Sequence, residues 1–210
     1  MRTLFTMRPD RTGTAADGVV LMLHGGAEHG RGEVDSRSRA LWRTRLMARQ
    51  IEDQVTTAGH ALVVLRFSVR GWNGAEASPV ADARWALEEL RGRYGEVPVV
   101  LVGHSMGART ALHAADDPGV VGVVGLAPWF PVDEDLAPLT GRHLVAAHGH
   151  LDRITSARAT RAVVGRAETV AASSRFIDMG AVGHYMLARM RAWNDVAAQQ
   201  SLALLAKARA

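Results

Sequence analysis

The chain has 210 residues, 48% of them hydrophobic, and no cysteine. That is enough for one domain with a substantial core, and it excludes disulfides, cysteine-ligated zinc and a thiol nucleophile. Its 25 basic residues outnumber 21 acidic ones, and all but Lys207 are arginine. They are scattered, form no run of five and accompany no nucleic-acid motif, so the isoelectric point near 10.5 reads as arginine-rich codon usage, with no nucleic-acid partner expected. No stretch approaches the roughly 20 apolar residues of a membrane span, and no signal-peptide core precedes Pro9. A cytoplasmic location without a membrane partner is the expectation.

Taken in order, Thr3–Met7 reads as a short edge strand stopped by Arg8-Pro9-Asp10, with polar turn over 11–18. Val19–Leu23 is an apolar run ending at H-G-G-A-E-H-G (24–30). Gly25, Gly26, Gly30 and Gly32 there let backbone N–H groups approach a ligand closely. Leu41, Trp42, Leu46, Ile51 and Val55 recur at helical spacing over 38–58. A buried strand over 61–67 leads to a loop containing R-G-W-N-G, and a helix over 80–94 stops at Gly95. The run 97–102 enters G-H-S-M-G (103–107) and then a helix to about Ala115. Val120–Leu126 and His143–His148 are further strands, ending in A-P-W-F-P and H-G-H-L-D. A helix over 156–165, a short strand over 175–177 and a loop over 178–184 lead into a last helix reaching about Lys207.

Strands alternate with helices at least five times, which predicts a doubly wound, mostly parallel α/β sheet in one domain, 1–210. Ligands bind such sheets at the carboxyl ends of strands. His24-Gly25-Gly26, Arg70-Gly71-Trp72, Ser105, Trp129, Asp152 and His184 all fall there.

The pattern G-x-S-x-G at 103–107 sits between a strand and a helix. A strand that becomes a helix within three residues forces the residue at the bend into a strained backbone, so its neighbours must be small. Gly103 and Gly107 flank Ser105 in that way, which is the nucleophile elbow. A serine nucleophile needs a base, and the base needs an acid to fix its tautomer. With this elbow they follow in the order Asp or Glu, then His. Asp152 after the strand His143–His148, and His184 after the last strand, supply both.

H-G-G-A-E-H-G (24–30), G-H-S-M-G (103–107), H-G-H-L-D (148–152) and G-H-Y (183–185) together resemble the α/β-hydrolase superfamily, in the style of compact dienelactone-hydrolase-like and small serine esterase members. The resemblance runs from about Val19 to the end. It implies a sheet of six to seven strands with helices on both faces, Ser105 as nucleophile, Asp152 as acid and His184 as base. It also implies an oxyanion hole from the N–H groups of Met106 and Gly26, with Ala27 as the alternative to Gly26. Asp133 and Asp135, one strand earlier, and Asp178 are alternative acids. His24 and His104 are expected to shape loops, His148 and His150 to be structural, and His29 to lie at the mouth of the site.

The short segment between Val120–Leu126 and His143–His148 leaves no room for a cap. Trp72, Trp129, Phe130 and Tyr185 are candidate walls for an apolar acyl or alcohol group, with ordinary packing as the other reading. Packing is also the reading for Trp42, Trp85 and Trp193. Arg66 or Arg70 is a candidate for a substrate carboxylate. H-G-H at 148–150 lacks a third metal ligand and nucleotide-phosphate motifs are absent, so neither metal nor cofactor is expected. The implied activity is a serine hydrolase acting on a small ester or thioester. An acyltransferase, a peptidase or a non-catalytic ligand-binding member of the fold is the alternative. Oligomeric state does not follow from these residues.

Overall fold

A computed structural model describes residues 1–7 and 16–208. The expected strand stop at Arg8-Pro9-Asp10 and most of the turn over 11–18 lie outside the described residues. Seven strands form one sheet in the order β1-β3-β2-β4-β5-β6-β7. β1 (Thr3–Met7) runs antiparallel to β3 (Ala61–Arg66) at one edge. β2 (Val19–Leu23), β3, β4 (Val99–His104), β5 (Val120–Leu126), β6 (His143–His148) and β7 (Ser173–Asp178) are all parallel. The central strands are nearly continuous runs of branched apolar residues because both faces are covered. Every residue of β2 and β4 is buried.

Helices α1 (Arg39–Thr57) and α5 (Met190–Lys207) pack together on one face, while α2 (Ser78–Tyr94), α3 (Met106–His113) and α4 (Ala157–Ala167) cover the other. α1 and α4 start on serine caps: Ser38 Oγ accepts from Leu41 N–H at 3.3 Å and Ser156 Oγ from Ala159 N–H at 3.1 Å. β7 is longer than its apolar signature. Ser173, Ser174 and Asp178 belong to it, and as the partly exposed edge of the sheet it needs no buried side chains there. Between β5 and β6 the chain makes only a 3-10 turn, Ala137–Leu139, so no cap stands over the carboxyl ends of the strands. Among the described residues no helix is long and apolar enough to cross a membrane.

Candidate active site

Ser105 occupies the sharp bend between β4 and α3, at φ 54° and ψ −118°. A Cβ on Gly103 would strike the backbone of Gly107 and Ala108, and one on Gly107 would strike the Leu23 and His24 carbonyls. The bend therefore closes only with glycine at both positions. The backbone of Ser105 is pinned: its N–H donates to Leu126 O at 3.1 Å and its C=O accepts from Ala108 and Trp129. A serine preceding a helix ordinarily spends its hydroxyl on capping that helix. Here it makes no such bond, and Ser105 instead borders a cleft.

His184 borders the same cleft and donates from Nδ1 to Asp152 Oδ2 at 2.7 Å. Its other nitrogen, Nε2, therefore carries the lone pair. Asp152 is almost fully enclosed, its side chain 1% exposed, yet it is densely supplied with donors. Oδ2 also accepts from His148 Nε2 at 3.0 Å and Thr155 Oγ1 at 2.9 Å, and Oδ1 accepts from the N–H groups of Ile154 and Thr155 at 2.8 and 2.9 Å. Burial alone pushes this carboxyl up. The bonds from His148 and His184 and from the Thr155 and Ile154 backbone outweigh it and hold Asp152 well below the usual carboxylate range. His148, fully buried, accepts at Nδ1 from Thr160 Oγ1 at 2.8 Å, so its Nε2–H is committed to Asp152. Of the alternative acids, Asp178 pairs with His150 and Arg161 and Asp135 accepts from Ala137 N–H, and the carboxylate on His184 is that of Asp152 and not of these or of Asp133.

The remaining histidines near Ser105 hold backbone. His24 donates from Nδ1 to Gly25 O at 2.6 Å and accepts at Nε2 from Phe67 N–H at 3.2 Å. Burial lowers its pKa to about 4. His104 donates from Nε2 to the His184 carbonyl at 3.0 Å, and burial, with His184 beside it, lowers its pKa to about 3. Both are thus neutral and tie the Gly25 turn and the His184 loop to the sheet. His29 is exposed beside Glu28 and does not line the cleft.

The expected oxyanion donors are the N–H groups of Met106 and Gly26. That of Met106 belongs to the first turn of α3, where helical N–H groups lack intrahelical partners. Gly26 borders the cleft, whereas the N–H of Ala27 is taken by Arg70 O at 2.9 Å. A Cβ on Gly26 would lie 2.5 Å from Arg70 O and 2.6 Å from Met106 Sδ, so the close approach of this turn to the elbow requires glycine.

The cleft has a volume of about 780 Å³. Of the side chains expected to wall it, Tyr185 does, 63% exposed at its rim. Trp72 and Trp129 do not line it: they meet edge to face, and the Arg109 guanidinium lies 4.2 and 4.8 Å from their ring centres, while Phe130 is buried in the core. Arg70 donates to Asp35 Oδ2 and Glu33 O at 2.9 and 2.8 Å. Arg66 reaches back to Thr3 Oγ1 and Met1 O. Neither arginine faces the cleft. Trp42, read from the sequence as packing, is instead 59% exposed and lines the cleft because α1 begins beside it, as do Arg39 and Arg43 of the same helix, Ile154 and Leu187. Among the described residues no group of three or more His, Cys, Asp or Glu is placed to hold a metal ion. His148 turns inward to Asp152 and His150 outward to Asp178.

The sequence profile described as "Alpha/beta hydrolase family" matches residues 20–210. No curated protein matches in sequence. Among solved structures, the chain is similar to an α/β serine hydrolase without a lid from Xanthomonas campestris, at 16% identity and TM-score 0.71, covering 96% of this chain and 88% of that one. It is similar to an alpha-beta serine hydrolase homologue from Coxiella burnetii, at 18% identity and TM-score 0.70, covering 95% and 91%. It is also similar to Est1E from Butyrivibrio proteoclasticus with ferulic acid bound, at 10% identity and TM-score 0.71, covering 98% and 96%. At these identities the likeness is one of fold.

Proposed function

The chain belongs to the alpha/beta hydrolase family, and from that premise we propose that it is a serine hydrolase of small esters or thioesters that works without a cofactor. The observation that carries this reading is the 2.7 Å bond from His184 Nδ1 to Asp152 Oδ2, with His184 and the elbow residue Ser105 on one cleft. Asp152 fixes the tautomer, so Nε2 of His184 is the base. It takes the proton of Ser105 Oγ as the oxygen attacks the substrate carbonyl carbon. The N–H groups of Met106 and Gly26 receive the oxyanion, where a lost donor ordinarily costs about 10²–10³-fold. The proton passes from Nε2 to the departing alcohol or thiol, leaving an ester on Ser105. Water then attacks that ester, gives its proton to His184, and the acid leaves as Ser105 is reprotonated.

The open cleft suits this chemistry. Trp42, Ile154, Tyr185 and Leu187 are each about 60% exposed or more at its rim and give an apolar acyl or aryl group somewhere to lie. The relative from Xanthomonas campestris is described as a serine hydrolase lacking a lid, which is consistent with a site left open in this way. Labelling by a fluorophosphonate tests the reading. The reagent is expected to modify the wild-type protein at Ser105, located by mass spectrometry, and to leave Ser105→Ala unmodified. A folded wild type that takes no label would overturn it.

A further inference from the structure

Arg43 lies in the second turn of α1, only 6% exposed, and its side chain borders the cleft that Ser105 and His184 share. A guanidinium has five N–H donors and stays protonated in proteins. One nitrogen of Arg43, Nη2, donates to Met186 O at 3.0 Å. Nε and Nη1 are buried without a partner, and among the described residues no carboxylate pairs with Arg43. The void of about 10 Å³ beneath it, bordered also by His104, has room for at most one water, which offsets no charge. A buried cation without a counter-ion is costly, and burial correspondingly lowers the Arg43 pKa.

Arg39, one turn earlier on the same helix face, stands exposed at the rim of the cleft, also without an acidic partner among the described residues. No carboxylate borders the cleft. Asp152, behind His184, is already matched by its own donors. The cleft is thus bordered by two arginines and nothing negative: Arg43 is buried in its wall with Nε and Nη1 sealed from solvent, and Arg39 stands at its rim. Arg109, with a side chain 16% exposed, is paired with Glu134, whereas Arg43, the only buried arginine among the described residues, has no carboxylate. The contrast is the signal.

We propose that Arg43 is the base of an anion subsite in the cleft, assisted by Arg39 at its rim, and that the ester cleaved at Ser105 carries a carboxylate which supplies the missing counter-ion. The proposal rests on the hydrolase reading above and adds the substrate class to it. The carboxylate sits on either side of the scissile bond, and paired substrates tell the two apart. Mono-p-nitrophenyl glutarate against p-nitrophenyl pentanoate places the charge on the acyl side, and 4-carboxyphenyl acetate against phenyl acetate places it on the alcohol side. Differences in intrinsic reactivity cancel when each ratio in Arg43→Met is compared with the parent ratio.

Loss of a charge-assisted pair predicts that, in one of the two substrate pairs, Arg43→Met loses about 10- to 100-fold more kcat/KM on the carboxylate than on its neutral partner, mainly through KM. Arg39→Gln, on the surface, is expected to show a smaller loss of the same sign that fades in high salt. Equal losses on charged and neutral esters in both pairs would make Arg43 a clamp for the Met186 loop and would overturn the subsite. Should Arg43→Met fail to fold, Ser105→Ala keeps the question open to measurement. Glutarate or benzoate is expected to raise its Tm, in contrast to equal concentrations of chloride. No such rise, together with parental ratios in Arg39→Gln, would overturn the subsite. The two readings fail separately: a carboxylate-stabilised protein that takes no fluorophosphonate loses the hydrolase, and a labelled protein blind to carboxylates loses only the subsite.

Discussion

His148 and His184 donate to the same oxygen, Oδ2 of Asp152, at 3.0 and 2.7 Å. One imidazole is sealed in the core and the other borders the cleft, so the carboxylate is gripped from behind by a group that never meets substrate. His148→Ala would leave Thr160 and Asp152 each short of a partner. We expect a stability loss of about 1–3 kcal/mol and a fall in kcat of roughly 10-fold with KM nearly unchanged, since the anchor of His184 loosens while the cleft does not. Urea melts and ester turnover measure both; full kcat in the variant would assign His148 to packing alone.

Acid should destabilise the protein from near neutrality downward. Burial keeps His24 and His104 neutral in the fold, with pKa values of about 4 and about 3 against the ordinary 6.5 of histidine. The unfolded chain therefore binds protons that the folded chain refuses, and stability falls as pH drops below 6.5. Protonating His24 would also remove the acceptor of Phe67 N–H. Its share is about 3 kcal/mol by pH 4. Asp152, depressed in the fold, adds a further loss as pH falls below 3.8. Denaturation midpoints from pH 7.5 to 4 are expected to decline steadily. A flat profile to pH 5 would contradict the neutral, buried histidines.

Ser105 stands at positive φ outside the left-handed helical well, and such residues carry about 1–3 kcal/mol of strain. Ser105→Gly relieves it, less the entropy glycine brings to the unfolded chain, whereas Ser105→Ala retains it. The glycine variant is expected to melt above the alanine variant, with both inactive. The reverse order would mean that the elbow stores no strain.

Gly26→Ala would drive a methyl against Arg70 O and the Met106 thioether. The turn after β2 must then back away from the elbow, taking one oxyanion donor with it. A loss of about 10²-fold in kcat is expected, with fluorophosphonate labelling slowed in parallel. Activity within a few-fold of wild type would remove Gly26 from the proposed oxyanion hole.

Arg70→Ala severs only the tie to Asp35 and the Glu33 carbonyl, on the outer side of the Gly26 turn. Kinetics on charged and neutral esters should change by less than about 3-fold, and equally, because exposed ion pairs contribute little. A selective loss on carboxylate substrates would return Arg70 to the site.

The buried strands were legible because runs such as Val19–Leu23 and Val120–Leu126 have no reading but interior ones, and the elbow because Gly103 and Gly107 are close-approach positions written locally. Asp152 and His184 followed from chain order. What escaped was side-chain direction. Arg70 and Trp72 do sit at the carboxyl end of β3, but the loop at Asp35 claims the one and Arg109 of α3 the other, pairings far apart in sequence. Trp42 shares the helical spacing of Leu41 and Leu46, yet α1 begins over the cleft, so its first turns face substrate space where the later ones face the sheet. Arg43 was hidden among 24 arginines, distinguished only by its burial without a carboxylate.

The ties that hold the His184 loop are made to its backbone: His104 to the carbonyl of residue 184 and Arg43 to that of Met186. All other donors to Asp152 come from residues 148–155. Deleting the imidazole by His184→Gly would thus leave the loop moored and the carboxylate still prepared, with a ring-shaped vacancy between Asp152 and the cleft. Such a protein is a receptor for imidazole in solution. The concentration at which added imidazole restores ester cleavage would measure how much of the base's placement is done by the socket and how much by the covalent tether.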